Sequence, residues 1–485
     1  MDGYTDEPAG LGVPPFLGVW PRYAAGPYRD PPVYLTIDDL RLAQWKGKIK
    51  TGTIDPPTGK TRADLLNSTR SVEEVREILH QTDQLTVICG VQTPGKYLSA
   101  RPATLSELNK RLKAYPCRKI LAGPVVTGGT QIRGGTAAET PETMLQFDEF
   151  RTLEPDSYAD LQPTALGGAG IITQIPQPRL VEIETGRGCP RPVGCSFCTE
   201  PLKHEIQWRE PEYIIEEVKA FLTLGATAFR LGKQSCIYSY QHGDEQRLET
   251  LLSGLAALRP EVLHIDNANP TMVTEERTRL LVMYLTPGST AALGVESFDP
   301  VVMRLNNLNS TPKAAFEAIR LINRLGSGRG ENGCPHFLPG INILLGLQGE
   351  TPATLDKNFQ ALQQLLAEGL LVRRINIRQV VPFPGTRLYE EVGNKFLRKN
   401  RHYYARWTEK VRHEIDLPML RRVFPLGTVL RKMRAEVHEG NVTFLRQLGS
   451  YPIVVGIHRR LPLGEWFDVR IIDHQLRSLT GEVIS

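Results

Sequence analysis

A chain of 485 residues with 41% hydrophobic and 23% charged residues has an ordinary globular mix and length for about three domains. That balance excludes a disordered chain and a disulfide-stapled miniprotein, and the longest apolar runs, YPIVVGI and INILLGL, are too short to span a bilayer. The formal charge of +5 is mild and seven cysteines are few, yet Cys189, Cys195 and Cys198 fall within ten residues, a pattern of metal binding rather than disulfides.

The opening carries Asp2, Asp6 and Glu7 without an apolar run, so it does not read as a signal peptide, and a cytoplasmic location with no membrane association is expected. Residues 1–175 read as a small, Rossmann-like α/β domain. Short apolar runs (VYLTI, LTVICG, KILAGPVV) alternate with helical stretches, and SVEEVREILHQ places Val72, Val75, Ile78 and Leu79 on one face. The glycines of GGTQIRGG at 128–135 match neither a P-loop nor a dinucleotide fingerprint and read as a turn.

Residues 176–394 form the expected catalytic core. Six strand candidates, RLVEIET, TAFRLG, VLHID, TAALGVES, INILLGL and RRINIRQV, are separated by helical patterns. The helix after the fifth has Thr351 as N-cap, Pro352 at N1 and a stop at Gly369. Six βα units make a partial barrel or an open parallel sheet, and either puts chemistry at the C-terminal strand ends. Residues 395–440 read as a basic helical arm. Between Lys395 and Arg434 lie 12 Lys and Arg against 3 Asp and Glu, a net +9 that leaves the remainder at −4. Phe396, Tyr403, Tyr404 and Trp407 interleave with these charges, as a surface that contacts phosphates and stacks on exposed bases would require. Residues 441–485 read as a short β segment.

The cysteines lie in ETGRGCPRPVGCSFCTEP, directly after the first core strand. Three thiolates at C-x5-C-x2-C hold either an iron–sulfur cluster with one open iron or, with His204 as fourth ligand, a structural zinc. Phe197, between the last two cysteines, is placed to cover a cluster.

Here the chain resembles the radical S-adenosylmethionine (SAM) superfamily. Cys195-Ser196-Phe197-Cys198 is similar to the end of its cysteine signature, although the first gap is five residues rather than three. GVES at 294–297 with Asp299, and GLQGET at 346–351, resemble its fourth- and fifth-strand motifs, and PFPGT at 382–386 the sixth-strand exit of methylthiotransferases. DGYTDEPAGLGVPP and CPRPVGCSFC resemble an uncharacterised, largely archaeal group of these proteins, whose members often continue into a helix-hairpin-helix that this chain does not show before Ser485.

The resemblance implies a partial (βα)6 barrel in which Cys189, Cys195 and Cys198 hold a [4Fe–4S] cluster. It implies that SAM chelates the fourth iron and is cleaved reductively to a 5′-deoxyadenosyl radical, with electrons from a ferredoxin- or flavodoxin-type donor. Cofactor contacts are then expected from Phe197, Gly232, Gln234, Glu296, Ser297, Gly346 and Gln379, with Asp266, Asn267 and Asn269 as further strand-end candidates. Arg187 would offset cluster charge, and Glu184 would contact substrate or brace the loop. The N-terminal domain has only Cys89 and Cys117, too few for the second cluster of methylthiotransferases, and it lacks the histidine motif of cobalamin binders, so cobalamin is possible without that support. The arm and a tail resembling an RNA-binding TRAM barrel favour tRNA or another RNA as substrate for methyl or methylthio transfer. A protein or small metabolite as substrate, and a zinc-stabilised RNA-binding scaffold, are the alternatives.

Overall fold

The computed structural model describes residues 1–4, 16–45, 67–90, 102–128, 130–131, 138–139 and 146–484. The opening motif and GGTQIRGG therefore lie largely outside the described residues.

Strand β1 (Phe16–Leu17) and helix α1 (Val19–Ala25) precede a small α/β unit. After α2 (Ile37–Ala43), α3 (Val72–Gln81) starts at a capping box made by Ser71 and Glu74 and buries Val75 and Leu79, as the sequence spacing predicts. Strands β2 (Gln84–Ile88), β3 (Arg118–Ala122) and β4 (Glu149–Arg151) lie parallel in that order, with α4 (Leu105–Leu112) between the first two. Strand β1 is not part of this sheet. It pairs in parallel with the first core strand, so the start of the chain edges the catalytic sheet.

The core follows α5 (Tyr158–Gly168). Its strands are β5 (Leu180–Glu184), β6 (Ala228–Gly232), β7 (Val262–Ile265), β8 (Asn267–Ala268), β9 (Ser289–Glu296), β10 (Phe337–Leu345) and β11 (Arg374–Gln379), all parallel. The third expected strand is split at Asp266. Its first part, β7, pairs with β6, and its second, β8, pairs with β9, so the sheet turns a corner there and curves into a partial barrel. Helices α6 (Pro211–Thr223), α7 (Glu245–Ala257), α8 (Glu275–Tyr284), α9 (Pro312–Gly326) and α10 (Pro352–Ala367) cover the outside.

Two expectations about the C-terminal third need correction. The arm is helix α11 (Lys395–Val411), a π turn over Arg412–Asp416, and α12 (Leu417–Val423). Residues expected in the arm at 429–439 instead form strand β12 (Val429–Glu439). With β13 (Val442–Arg446), β14 (Val454–Ile457), β15 (Trp466–His474) and β16 (Leu479–Val483) it closes a five-stranded barrel in the order β12-β13-β14-β16-β15. The boundary expected at 441 thus falls within the first hairpin, and the tail is a closed barrel rather than a fragment. The dense charge of KMRAE hid an alternation in which Met433, Ala435 and Val437 face the barrel core.

The N-terminal unit and the core are joined by buried charge. Arg22 of α1 and Arg209 both pair with Glu217 of α6, the Arg209 Nη1 contact at 2.5 Å, and all three side chains are inaccessible to solvent. Arg22 also donates to the Glu182 carbonyl, and Arg209 to the Glu184 carbonyl. Despite its burial, the two guanidiniums hold the Glu217 carboxyl below the usual range. Glu217→Gln leaves two buried cations short of their counter-charge and is expected to cost about 3–5 kcal/mol in urea unfolding. Replacing all three by methionine and leucine should restore most of that loss; a neutral single variant would show that the triad is not what joins the units.

Candidate functional site

The cysteine loop begins on a short ribbon in which Gly186–Arg187 pairs with Gln207–Trp208. Gly188 follows with φ of +81°, and a Cβ there would sit 2.5 Å from the Glu205 carbonyl, so only glycine fits the turn. Three anchors hold the loop over the strand ends. Ser196 donates from N to Asn306 O (2.9 Å) and from Oγ to Asn306 Oδ1 (2.7 Å). Asn307 Nδ2 donates to the carbonyls of Val193 and Gly194. Arg191 Nη1 donates to Asn307 O (2.7 Å) and lies 3.3 Å from Cys195 Sγ.

All three cysteines line one cavity of about 440 Å³ at the C-terminal ends of the strands, together with Phe197, Gln234, Asn269 and Glu296. Cys195 and Phe197 also pack on an apolar patch of Val302, Met303, Leu347 and Leu388, which shields that side of the loop from water. Burial pushes the Cys195 thiol up and the Cys198 thiol up to about 12, so both need a cationic partner to ionise. Among the described residues no set of His, Cys, Asp and Glu is gathered tightly enough to chelate a single metal ion. Three soft donors around a roomy cavity fit a multi-iron cluster better than one zinc.

Of the strand-end residues expected at the cofactor, Gln234 and Glu296 reach this cavity. Gln234 Nε2 donates to Leu231 O (3.3 Å), while its buried Oε1 has no partner among the described residues. Glu296 sits at a register shift in β9 with φ of +62°, an unusual conformation for glutamate and of the kind concentrated at functional sites. Burial raises its carboxyl to about 7, against the opposing pull of Arg378. Asp266, Asn267 and Asn269 also line the cavity.

Four expected contacts are corrected. A Cβ on Gly232 would lie 2.6 Å from Glu182 Oε1, so that glycine makes room for a neighbouring side chain. Ser297 Oγ accepts from Asp299 N (3.1 Å) and donates to Asn358 Oδ1 (3.3 Å), bracing the loop below the cavity. Gly346 has φ of +93°, and the space beside it is filled by Leu397 of α11, 2.7 Å from where a Cβ would stand, not open to adenine. On β11 it is Arg378, not Gln379, that faces the cavity.

Glu184 and Arg187 are bracing residues. Glu184 accepts from Tyr23 Oη (2.8 Å) and Tyr158 Oη (2.9 Å), and Arg187 donates to Pro155 O and Gln207 Oε1 (both 2.8 Å). The cation beside a thiol of the triplet is Arg191, next to Cys195, which sequence reasoning passed over. It also passed over the inward residues of the strands, Glu182, Arg230, Asn342, Arg374 and Asn376, and over Tyr451, which rises from the C-terminal barrel into the same cavity. Their signal was a polar side chain at alternate positions in otherwise apolar runs. Cys89, Cys117, Cys236 and Cys334 are buried away from the triplet's loop. His80 packs edge-on against Tyr115, with ring centroids 5.5 Å apart.

The basic arm is docked, not free. Asn400 Nδ2 donates to Glu350 O (2.9 Å), Tyr404 Oη to Glu350 Oε1, and Trp407 Nε1 to Leu355 O (2.8 Å). Tyr404 and Trp407 are buried, which corrects their expected role in stacking on RNA bases.

His204 is not a zinc ligand in this arrangement. Nδ1 faces Glu200 Oε1 at 3.0 Å and Nε2 faces Glu154 Oε2 at 2.5 Å, so both ring nitrogens are engaged. Glu200 in turn accepts from Gly188 N (2.8 Å), next to Cys189. Burial opposes the imidazolium, but the hydrogen bonds from Glu154 and Glu200 outweigh it and raise His204 to about 9. A raised histidine contributes stability that is complete below its unfolded value near 6.5 and lost as pH climbs through 9. The wild-type melting temperature should therefore fall more steeply from pH 7 to pH 10 than that of His204→Gln. Parallel melting curves across that range would show that the pair of carboxylates does not hold a charged histidine.

The radical SAM superfamily model matches residues 183–362. An uncharacterised protein of Methanocaldococcus jannaschii is 39% identical, the alignment covering 100% of this chain and 92% of that protein. The bacteriochlorophyllide d C-12(1)-methyltransferase of Chlorobaculum tepidum is 24% identical across 63% of this chain and 59% of that enzyme. Among solved structures, a radical SAM methyltransferase, TsrM, from Kitasatospora setae with cobalamin and a [4Fe–4S] cluster bound covers 63% of this chain and 66% of its own, at 15% identity and a TM-score of 0.41. The chain belongs to the radical SAM superfamily, whose enzymes use a [4Fe–4S] cluster and SAM, and is akin to an uncharacterised archaeal member of it.

Proposed function

We propose that this enzyme functionalises an unreactive C–H bond in a group-transfer reaction, with Cys189, Cys195 and Cys198 as the cluster ligands. The observation that carries the reading is the convergence of three thiols, Gln234 and Glu296 on one cavity at the C-terminal ends of six parallel strands. When bound, the reduced cluster and SAM supply a 5′-deoxyadenosyl radical for hydrogen abstraction; the protein supplies binding, orientation and exclusion of water. Arg191 balances thiolate charge. Phe197 and its apolar patch keep solvent from the loop. Gln234 Oε1 is an acceptor available to the methionine amino group, and Glu296, its carboxyl raised by burial, accepts from that group or a ribose hydroxyl. The methyltransferase activity of the relative in Chlorobaculum makes methyl transfer the favoured group. An external reductant of ferredoxin or flavodoxin type is required.

A second reading, RNA as substrate, is favoured by one observation. The arm docks on the loop that follows β10, at the active end of the barrel, and leaves Arg398, Lys399, Arg401 and Arg406 exposed, with no carboxylate partner among the described residues. Charge, rather than aromatic stacking, would then carry the contact.

Anaerobic reconstitution should give a brown protein with about four irons per chain, which cleaves SAM to 5′-deoxyadenosine under reductant. Alanine at any one of the three cysteines should abolish cleavage and most iron uptake, whereas Cys89→Ala and Cys117→Ala should retain both. A colourless protein with stoichiometric zinc would overturn the proposal. For the second reading, tRNA binding should weaken with salt and fall about tenfold or more when Arg398, Arg401 and Arg406 are changed to glutamine. Unchanged binding would exclude the arm as an RNA surface.

A further inference from the structure

The interior of a βα barrel is ordinarily packed by branched apolar side chains. This lumen is polar instead, and its charges do not all pair with one another. Glu182 Oε1 accepts from Arg230 at 2.7 Å, and Asp266 Oδ2 lies 3.7 Å from the same guanidinium. The other oxygen of Asp266 accepts from the Tyr451 phenol. Asn376, with its amide oxygen turned toward Arg378, accepts from Arg378 Nε at 2.7 Å. Glu296, at the cysteine end of the same cavity, is acted on by Arg378. Glu182, Asp266, Arg230 and Arg378 thus have polar partners.

Arg374 does not. Its guanidinium lies over the Tyr451 ring, 4.8 Å from the centroid, and among the described residues it makes no close ion pair with a carboxylate. Asp416 lines a neighbouring cavity with it and acts on it at longer range, but is itself paired with Arg412. The charged neighbours Arg373, Arg378 and Arg477 carry its own sign, and burial with this crowding pulls Arg374 down to about 9. A half-buried guanidinium with no close ion pair leaves its planar fork available to two oxygens of an oxyanion. It lines the floor of the cavity whose upper end holds the cysteines. Tyr451 lines the same end of the cavity, its phenol bonded to Asp266 and its ring under Arg374.

We infer that the lumen takes a small metabolite bearing a carboxylate or phosphate group, and that Arg374 receives that oxyanion at the floor while the opposite end of the molecule faces the cysteine loop. This inference rests on the reading of the cavity as the reaction site, and it names the substrate class.

The test titrates reconstituted protein with succinate and, separately, with inorganic phosphate, reading calorimetry and the melting temperature. One saturable site for at least one anion is expected; which of the two binds distinguishes a carboxylate from a phosphate substrate. Arg374→Gln should melt close to the wild type without anion, since it breaks no close ion pair, yet bind roughly tenfold more weakly or worse. Arg374→Lys, which keeps the charge but loses the fork, should fall between and serves if the glutamine variant does not fold. Arg406→Gln on the exposed arm should bind as the wild type does. Absence of any anion response, or an equal response in both Arg374 variants, overturns the inference. Displacement of the bound anion by tRNA overturns it in favour of RNA. The same preparations are assayed for SAM cleavage. Cleavage without an anion response rejects this inference alone; an anion response without cleavage supports the anion site and rejects the proposed reaction.

Discussion

A single buried carboxylate, Glu217, fixes the geometry on which the site depends. Through Arg22 it ties the first helix of the chain to the backbone of the first core strand. Through Arg209 it ties the same strand end to the ribbon from which the cysteine loop departs, since Arg209 N also donates to Thr185 O at 3.0 Å. Buried charge of this kind does little for net stability compared with apolar packing, but its hydrogen bonds are directional. Two forks on one carboxylate leave the loop stem few alternative positions, and the thiols hang from that stem.

The lumen shows the opposite economy. Its strands present Glu182, Arg230, Asn342, Arg374, Asn376 and Arg378 inward, where apolar packing would have stabilised the fold more. Such a choice sacrifices core cohesion for recognition. Cohesion comes instead from the outer layer, where Leu251, Leu255, Phe316, Ile319, Phe359 and Leu362 are almost wholly buried between sheet and helices. The layers therefore divide the labour: the outer one holds the fold together and the inner one lines the cavity with polar groups.

Much of this was legible in the sequence, and the exceptions have physical causes. The six strands and the cysteine loop announce themselves because apolar runs and motif spacing are local properties. The corner at Asp266 does not, since it depends on which neighbour each half of the strand finds. Gly346 and Ser297 were read from motif position, yet their surroundings are set by Leu397 and Asn358, 51 and 61 residues downstream respectively. Counting charge along 395–434 revealed a basic stretch but concealed two structures. The stripe Leu397, Asn400, Tyr404, Trp407 and Val411 recurs at helical spacing and is the buried face of α11. After it, the period changes to two, which marks the first barrel strand. Net charge averages over both periods and so cannot separate them.

The contact between Tyr451 and Asp266 joins residues 185 positions apart, one in the terminal barrel and one at the corner of the catalytic sheet. On a ribosome, the six βα units emerge before the segment that carries Tyr451, and long-range contacts of this separation form late. The wall of the cavity is therefore completed only by the last domain to be synthesised, which bonds to the residue at which the catalytic sheet turns its corner.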